Sequence, residues 1–100
     1  RYEGTKNTDK DSYIYYIPEE SSDNIYLVCD ITEYDTTAVG DKGIEVYVND
    51  KLIGNIDSKG TTKLKIGYVS GDELLTVKFH ADNAEYTLYS ISLDKGQAET

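Results

Sequence analysis

The sequence predicts an all-β fold, an antiparallel β-sandwich of about seven short strands. Ten tyrosines in 100 residues, with many Val, Ile and Thr, one Pro and no Met, favour extended strands over helices. Apolar residues recur at every second position in several segments, which is the period of a strand with one buried face. Turn-forming segments such as "DSKG" and "SGDE" separate these stretches at the spacing typical of a sandwich.

Four segments show the alternation most clearly, and their inward-facing residues form the predicted core. Lys63, Lys65 and Lys78 alternate with core positions, so we expect them to be exposed to solvent. Residues 13–17 and 86–93 are also strand-like, with apolar side chains on both faces. The predicted core residues are Ile25, Leu27, Cys29, Ile31, Val46, Val48, Leu64, Ile66, Leu75, Val77 and Phe79.

The stretch "EVYVNDKLIGNI" predicts a β-hairpin. Asn49 and Asp50 tolerate the positive φ angles that a two-residue hairpin turn requires. With that turn, Val46 lies opposite Ile53 and both face the same side of the sheet. Gly54 then fits a bulge or a close backbone contact. We therefore expect the hairpin tip to serve folding rather than recognition.

The length allows one domain. We place the sandwich at residues 13–94, between a polar leader of residues 1–12 and a polar tail of residues 95–100. Because the chain begins at Arg1 and not at Met, we expect it to be a piece of a longer protein. No apolar run approaches the roughly 20 residues that a membrane-spanning helix needs.

The charge balance narrows the range of partners. Acidic residues outnumber basic ones by 19 to 10, which gives a net charge of -9. Such a chain repels a phosphate backbone, so nucleic acid is not an expected partner. Cys29 is the single cysteine and shares a strand face with Leu27 and Ile31, so we expect a buried and inert thiol.

Four segments, "YIYYIPEESSDNIYLVCDI", "IEVYVNDKLIGNI", "KIGYVSGDELLTVKF" and "YSISLD", resemble in order and spacing the C-terminal region of the YfhO family of bacterial multi-pass membrane proteins. That family commonly shows Val-Asn-Gly-Lys with a Gly shortly after it, then a Leu-Gly segment and Lys-Gly-Asp before an apolar strand. Asp50 stands where the family has Gly, and Ser70 where it has Lys. The matching residues are Val48, Asn49, Lys51, Gly54, Gly67, Gly71 and Asp72.

The resemblance implies an outward-facing domain attached to a membrane portion that looks like a lipid-linked sugar glycosyltransferase. The family is associated with decorating cell-wall polymers such as teichoic acids. Catalytic residues of such a parent lie in its membrane part, and none maps onto this chain. We therefore expect a non-catalytic extracytoplasmic accessory or interaction domain without a cofactor, anchored to the cell membrane through its parent chain. Its expected partners are the membrane portion of that parent and a cell-wall glycopolymer.

A second hypothesis is a carbohydrate-binding module of a secreted enzyme or adhesin. Tyr34 and Tyr68 border loops and are the candidate ligand-binding residues, whereas cross-strand pairing explains the other strand tyrosines. This hypothesis predicts a shallow patch of exposed, coplanar tyrosines beside Asn or Asp side chains.

Metal binding and catalysis have weaker support in the sequence. "NTDKDS" offers Asp9 and Asp11 as candidate metal ligands, but Ser12 and Pro18 occupy positions where a calcium loop needs Gly and Glu. His80 is the single histidine, and no Ser or Cys nucleophile stands at a recognisable spacing from it. An enzyme in its own right is therefore the third hypothesis, after the two binding functions.

Overall fold

Within the part of the chain that the structure describes, eight strands form two four-stranded antiparallel sheets, which confirms the predicted all-β sandwich. The computed structural model describes residues 5–8, 11–36, 43–81 and 84–96. Among these residues no helix has the length and hydropathy needed to span a membrane. The strands are β1 (Thr5–Thr8), β2 (Asp11–Tyr16), β3 (Ser22–Thr36), β4 (Ile44–Val48), β5 (Lys51–Ile56), β6 (Gly60–Val69), β7 (Leu75–Ala81) and β8 (Ala84–Lys95).

The two sheets differ in their strand order and pack face to face. Sheet A has the order β1-β8-β3-β6, and sheet B has the order β2-β7-β4-β5. Sheet A contributes Leu27 and Cys29 from β3 to the core, and sheet B contributes Val46 from β4 and Phe79 from β7. Burying these side chains removes apolar surface from water, which is the main stabilising contribution in a domain of this size.

The predicted core is confirmed except at Ile66, and the predicted exposure is confirmed at Lys63 and Lys65 but not at Lys78. Ile66 is half-buried because it is an extra residue on β6, between the pairs Ile25–Gly67 and Tyr26–Lys65. Lys78 is half-buried because its ammonium group packs over the ring of Tyr47.

The N-terminal segment predicted to be a polar leader contains paired strands. β1 pairs with residues 85–88 of β8 in sheet A, and β2 begins at Asp11 and pairs with β7 in sheet B. A strand at a sheet edge can pair through its backbone alone, so a polar sequence does not prevent it. The chain therefore passes from one sheet to the other between its first two strands.

The hairpin at Asn49 and Asp50 has the predicted turn but not the predicted register. The φ angles of these two residues are 49° and 68°, as a type I′ turn requires. Val46 lies opposite Gly54 and not opposite Ile53, which is the extra residue of a β-bulge. The bulge reverses the facing of the following residues, and it brings the buried Ile56 opposite Ile44 on the inner face.

Candidate functional site

Sheet B exposes a group of aromatic side chains on its outer face. On β2, Tyr13 and Tyr15 point outward, because Ser12, Ile14 and Tyr16 alternate with them opposite the buried residues of β7. Register places Tyr13 beside Lys78 on β7, and Lys78 beside Tyr47 on β4. We call the surface formed by Tyr13, Tyr15, Tyr47 and Lys78 the tyrosine face.

Tyr13 and Tyr15 hold their rings parallel. Their ring centroids are 6.3 Å apart and the ring planes differ by 6°. Tyr13 is 50% exposed and Tyr15 is 61% exposed, so solvent reaches both rings. Because a strand fixes the two side chains on one face at a constant spacing, a ligand needs little rearrangement to contact both rings.

Lys78 contacts the ring of Tyr47, which is the third ring of the tyrosine face. Its Nζ lies 4.4 Å from the centroid of the Tyr47 ring, which is the geometry of a cation–π contact. Tyr13 and Tyr47 lie on strands with β7 between them, so two strand spacings, about 10 Å, separate them. The exposed side chain of Leu52 on β5 extends the apolar row beyond Tyr47.

Polar side chains border the tyrosine face at one end. His80 Nδ1 lies 2.5 Å from Asp11 Oδ1 across the β2–β7 pair. Next along the sheet is Glu45, whose Oε2 accepts a long 3.4 Å hydrogen bond from the Tyr47 hydroxyl. Asn55 on β5 lies opposite Glu45. This border supplies carboxylate, imidazole and amide groups beside the aromatic rings.

The two tyrosines predicted as ligand contacts lie far apart on sheet A. Tyr34 is near the end of β3, where it is half-buried and packs against the core. Tyr68 on β6 is 60% exposed and lies near the beginning of β3, since its neighbours Gly67 and Val69 pair with Ile25 and Ser22. About ten residues of strand separate the two positions, or roughly 30 Å. They do not share one binding surface.

Tyr34 lines an open polar cleft of about 580 Å³. The cleft lies where β3 and β8 meet the loop between β5 and β6, and its lining includes Glu33, Asp35, Asp57 and Glu85 together with Lys59. The hydroxyl of Thr87 donates a 2.9 Å hydrogen bond to Glu33. The lining is rich in carboxylates, and Tyr34 offers no broad exposed ring to a ligand there.

The candidate metal ligands are placed only in part. Asp9 lies outside the described residues, and Asp11 contacts His80. In the described part of the chain, no three His, Cys, Asp or Glu side chains are grouped as metal ligands would be. The contact with His80 occupies one Asp11 carboxylate oxygen. Because the structure does not describe Asp9, metal binding by Asp9 and Asp11 stays a prediction.

Cys29 is buried, as predicted, in the middle of β3. Its side chain is fully inaccessible to solvent, and burial raises its pKa to about 12. The thiolate is the reactive form of cysteine, so a thiol with this pKa stays protonated and unreactive near neutral pH. Cys29 therefore belongs to the core and not to a site.

A second cleft, of about 750 Å³, opens between the sheets beside β2. Its apolar lining comes from Ile14 and Tyr16 on β2, Leu27 on β3, and Ile91 and Leu93 on β8. β1 covers β8 only as far as Leu88, so the edge of β8 beyond that residue has no strand beside it among the described residues.

Comparison of the chain with models of protein families, with curated proteins and with solved structures identifies no match. The grounds for assigning a function are therefore the geometry of the site and the sequence resemblance described above.

The sequence carries a signal for the tyrosine face, although cross-strand packing also explains it. Tyr13 and Tyr15 occupy alternate positions of one strand, so they had to share a face. Which face that was, and that Lys78 and Tyr47 would join it, depended on the pairing of β2 with β7 and of β7 with β4. These pairings connect distant parts of the chain, and local sequence patterns do not reveal them.

Proposed function

We propose that this chain is a non-catalytic domain that binds a glycan on the tyrosine face. The observation that carries the proposal is the parallel, half-exposed ring pair of Tyr13 and Tyr15 on a rigid strand. Sugar rings present apolar C–H surfaces that stack on aromatic rings, while their hydroxyls need polar partners at the edge. The tyrosine face combines these two features.

Exposure of the aromatic rings supports a binding role. Aromatic side chains contribute most when they are buried, so a group of them left in water marks a surface that a partner covers. Tyr68, by contrast, is exposed on the other sheet, away from the ring pair. An isolated exposed tyrosine is ordinary on a protein surface.

The polar border supplies groups that orient a sugar. Asp11 and Glu45 carry carboxylate oxygens that accept hydrogen bonds from hydroxyl groups, and Asn55 can both donate and accept. All three side chains project from paired strands, so they are held in fixed positions relative to the rings. A shallow platform with polar groups along one side suits an extended glycan lying across the strands.

The cellular context of the proposal comes from the resemblance to the YfhO family. On this proposal the domain lies outside the cytoplasm, is anchored through a membrane glycosyltransferase-like parent and contacts a cell-wall glycopolymer. The carbohydrate-binding module of a secreted protein is the alternative context for the same site. The full-length parent distinguishes them: many hydrophobic helices before Arg1 support the first context, and their absence removes it while leaving glycan binding intact.

A glycan array that includes wall polymers, followed by calorimetric titration, tests the proposal. We expect Tyr15→Ala to weaken binding roughly two- to twelvefold, since an aromatic contact contributes about 0.5–1.5 kcal/mol. Tyr68→Ala is the matched control, because Tyr68 is 60% exposed against 61% for Tyr15 and lies on the other sheet.

Three results would count against the proposal. If no glycan binds, the function is wrong. If Tyr68→Ala or Tyr34→Ala weakens binding while Tyr15→Ala does not, the site lies on sheet A, as the sequence predicted. If the isolated domain hydrolyses or transfers a glycoside, it is an enzyme and not an accessory domain.

A further inference from the structure

The edges of the two sheets differ in how well they are protected against pairing with another strand. β6, at the edge of sheet A, presents Lys63 and Lys65 and contains two glycines at positive φ. β5, at one edge of sheet B, begins with Lys51 and carries the bulge at Ile53. Lysines and bulges are the usual devices that prevent edge-to-edge association.

β2, at the other edge of sheet B, has none of these devices. It runs in unbroken register from Asp11 to Tyr16 against β7, and no strand lies on its other side among the described residues. It contains no lysine, and Pro18 comes only after the strand has ended. Tyr13, Tyr15, Tyr16 and Ile17 are each at least half exposed, so apolar side chains follow the open edge on both faces.

We infer that β2 pairs with β2 of a second copy of this chain, in antiparallel register about Ile14. The sequence of β2 is complementary to itself in that register. Tyr13 of one copy lies opposite Tyr15 of the other, and aromatic pairs across strands are stabilising. Ile14 meets Ile14, and the single charged residue, Asp11, lies opposite Ile17, so no two like charges face each other.

Such pairing joins two copies of sheet B into one continuous sheet. The pairing is isologous, because the same residues contribute from both sides, and it closes as a two-fold dimer. Ile14 and Tyr16, which line the open apolar cleft beside β2, then lie at the junction between the two copies. The outer face of the joined sheet carries both tyrosine faces side by side.

The available area and the charge set the strength of the dimer. The exposed parts of Tyr13, Tyr15 and Tyr16 offer about 250–400 Å² per copy, if a whole aromatic side chain offers 150–250 Å². A stable interface needs about 800 Å² per partner, so the dimer dissociates on dilution. The net charge of -9 on each copy opposes association, and added salt screens that repulsion.

Sedimentation equilibrium over a wide concentration range tests the inference. The average mass should rise from the chain mass of 11.2 kDa toward twice that value, and the rise should begin at lower protein concentration when salt is added. The double variant Tyr13→Lys with Tyr15→Lys places lysines along the edge and should stay monomeric at every concentration. Tyr68→Lys, equally exposed on sheet A, should associate like the unaltered chain.

Amide hydrogen exchange on the unaltered chain gives a second test that needs no variant. The β2 amides that point away from β7 should exchange several-fold more slowly at high protein concentration than at low concentration, and those of β6 should not change. The inference is overturned by a mass of 11.2 kDa at all concentrations, by growth beyond the dimer, or by protection that appears on β6 instead of β2. Loss of association in Tyr68→Lys would also overturn it.

Discussion

Asn49 and Thr76 are joined by two hydrogen bonds that fix the hairpin tip to the neighbouring strand. The Asn49 backbone N–H donates to the Thr76 carbonyl oxygen at 2.9 Å, and the Thr76 N–H donates to Asn49 Oδ1 at 2.9 Å. The Asn49 side chain thus takes the place of a backbone carbonyl and extends the pairing of β4 with β7 by one residue beyond Val48. Asp50, the other turn residue, has no such bond to β7 in the structure.

This difference predicts that the same substitution has different effects at the two turn positions. Glycine accepts the positive φ of either residue, so Asp50→Gly should be tolerated or stabilising by about 0.5–1 kcal/mol. Asn49→Gly should be about 1 kcal/mol less stable than Asp50→Gly, because it alone removes the acceptor for the Thr76 N–H. Urea unfolding of the two variants measures this difference.

Glycan binding in the same two variants tests whether the tip only supports the fold. Both proteins should bind as the unaltered chain does, since neither residue belongs to the tyrosine face. An Asp50→Gly protein that folds normally but has lost its ligand would make the tip a binding loop.

The buried position of Val46 allows us to predict how much stability a charge in the core would cost. Its side chain is fully buried, between Gly54 on β5 and Phe79 on β7. Val46→Asp would bury a carboxylate without a partner and should destabilise the domain by at least about 3 kcal/mol, a large share of a small domain's stability. Glu45→Gln, one residue earlier and facing outward, should change stability by less than about 1 kcal/mol. Thermal melts of equal midpoint for the two variants would show that Val46 does not face the core.

The strand faces could be predicted from sequence because strict alternation leaves only two choices of face. Leu27 and Cys29 on β3, and Val77 and Phe79 on β7, follow that alternation and are all buried. The register of β5 could not be predicted, because one extra residue at Ile53 reverses the facing of every later residue. Gly54 indicates a bulge or a close contact in β5, but neither it nor the turn chemistry at Asn49 and Asp50 shows that Ile53 is the extra residue.

The candidate site was harder to predict than the fold because it is assembled across strands. Tyr13 and Tyr47 are 34 positions apart, and they meet Lys78 only because β7 pairs with both of their strands. The sequence pointed instead to Tyr34 and Tyr68, since loop borders often carry function. The long strand β3 separates those two residues, and this separation follows from a strand length that turn signals did not indicate.

Gly54 lies where β5 and β6 approach each other closely. A Cβ at this position would lie 2.7 Å from Leu64 Cδ2, and Leu64 is a buried residue of the core. The atom that the new methyl group meets is the end of the Leu64 side chain, which can shift, so Gly54→Ala should destabilise the domain by only about 1 kcal/mol. Lys51→Ala, at an exposed position of the same strand, should have an effect below about 0.5 kcal/mol.

A double-mutant cycle with Leu64→Ala tests the cause of that effect. The Leu64→Ala change removes the atom that the new methyl group would meet, so adding Gly54→Ala should then cost less than it does alone. Equal costs in the two backgrounds would show that backbone conformation, and not contact with Leu64, requires glycine at position 54.

The buried thiol of Cys29 should make the folded domain less stable at alkaline pH. Burial raises the pKa of its thiol from 9.0 to about 12, so above pH 9 the thiol ionises in the unfolded chain while it stays protonated in the folded one. The unfolded state then binds fewer protons than the folded state, and the free energy of unfolding falls as the pH rises from about 9 toward 12. The slope from this one group approaches about 1.4 kcal/mol per pH unit.

Cys29→Ala separates this contribution from the tyrosines and lysines that titrate in the same range. Urea unfolding at pH 8, 9, 10 and 11 should show stability falling more steeply in the unaltered chain than in Cys29→Ala, whatever the offset between the two proteins at pH 8. A thiol reagent at pH 8 should label Cys29 in urea and leave it unmodified in the folded domain, because the side chain is inaccessible to solvent. Parallel stability curves, or rapid labelling of the folded protein, would mean that β3 opens far enough for water to reach the thiol.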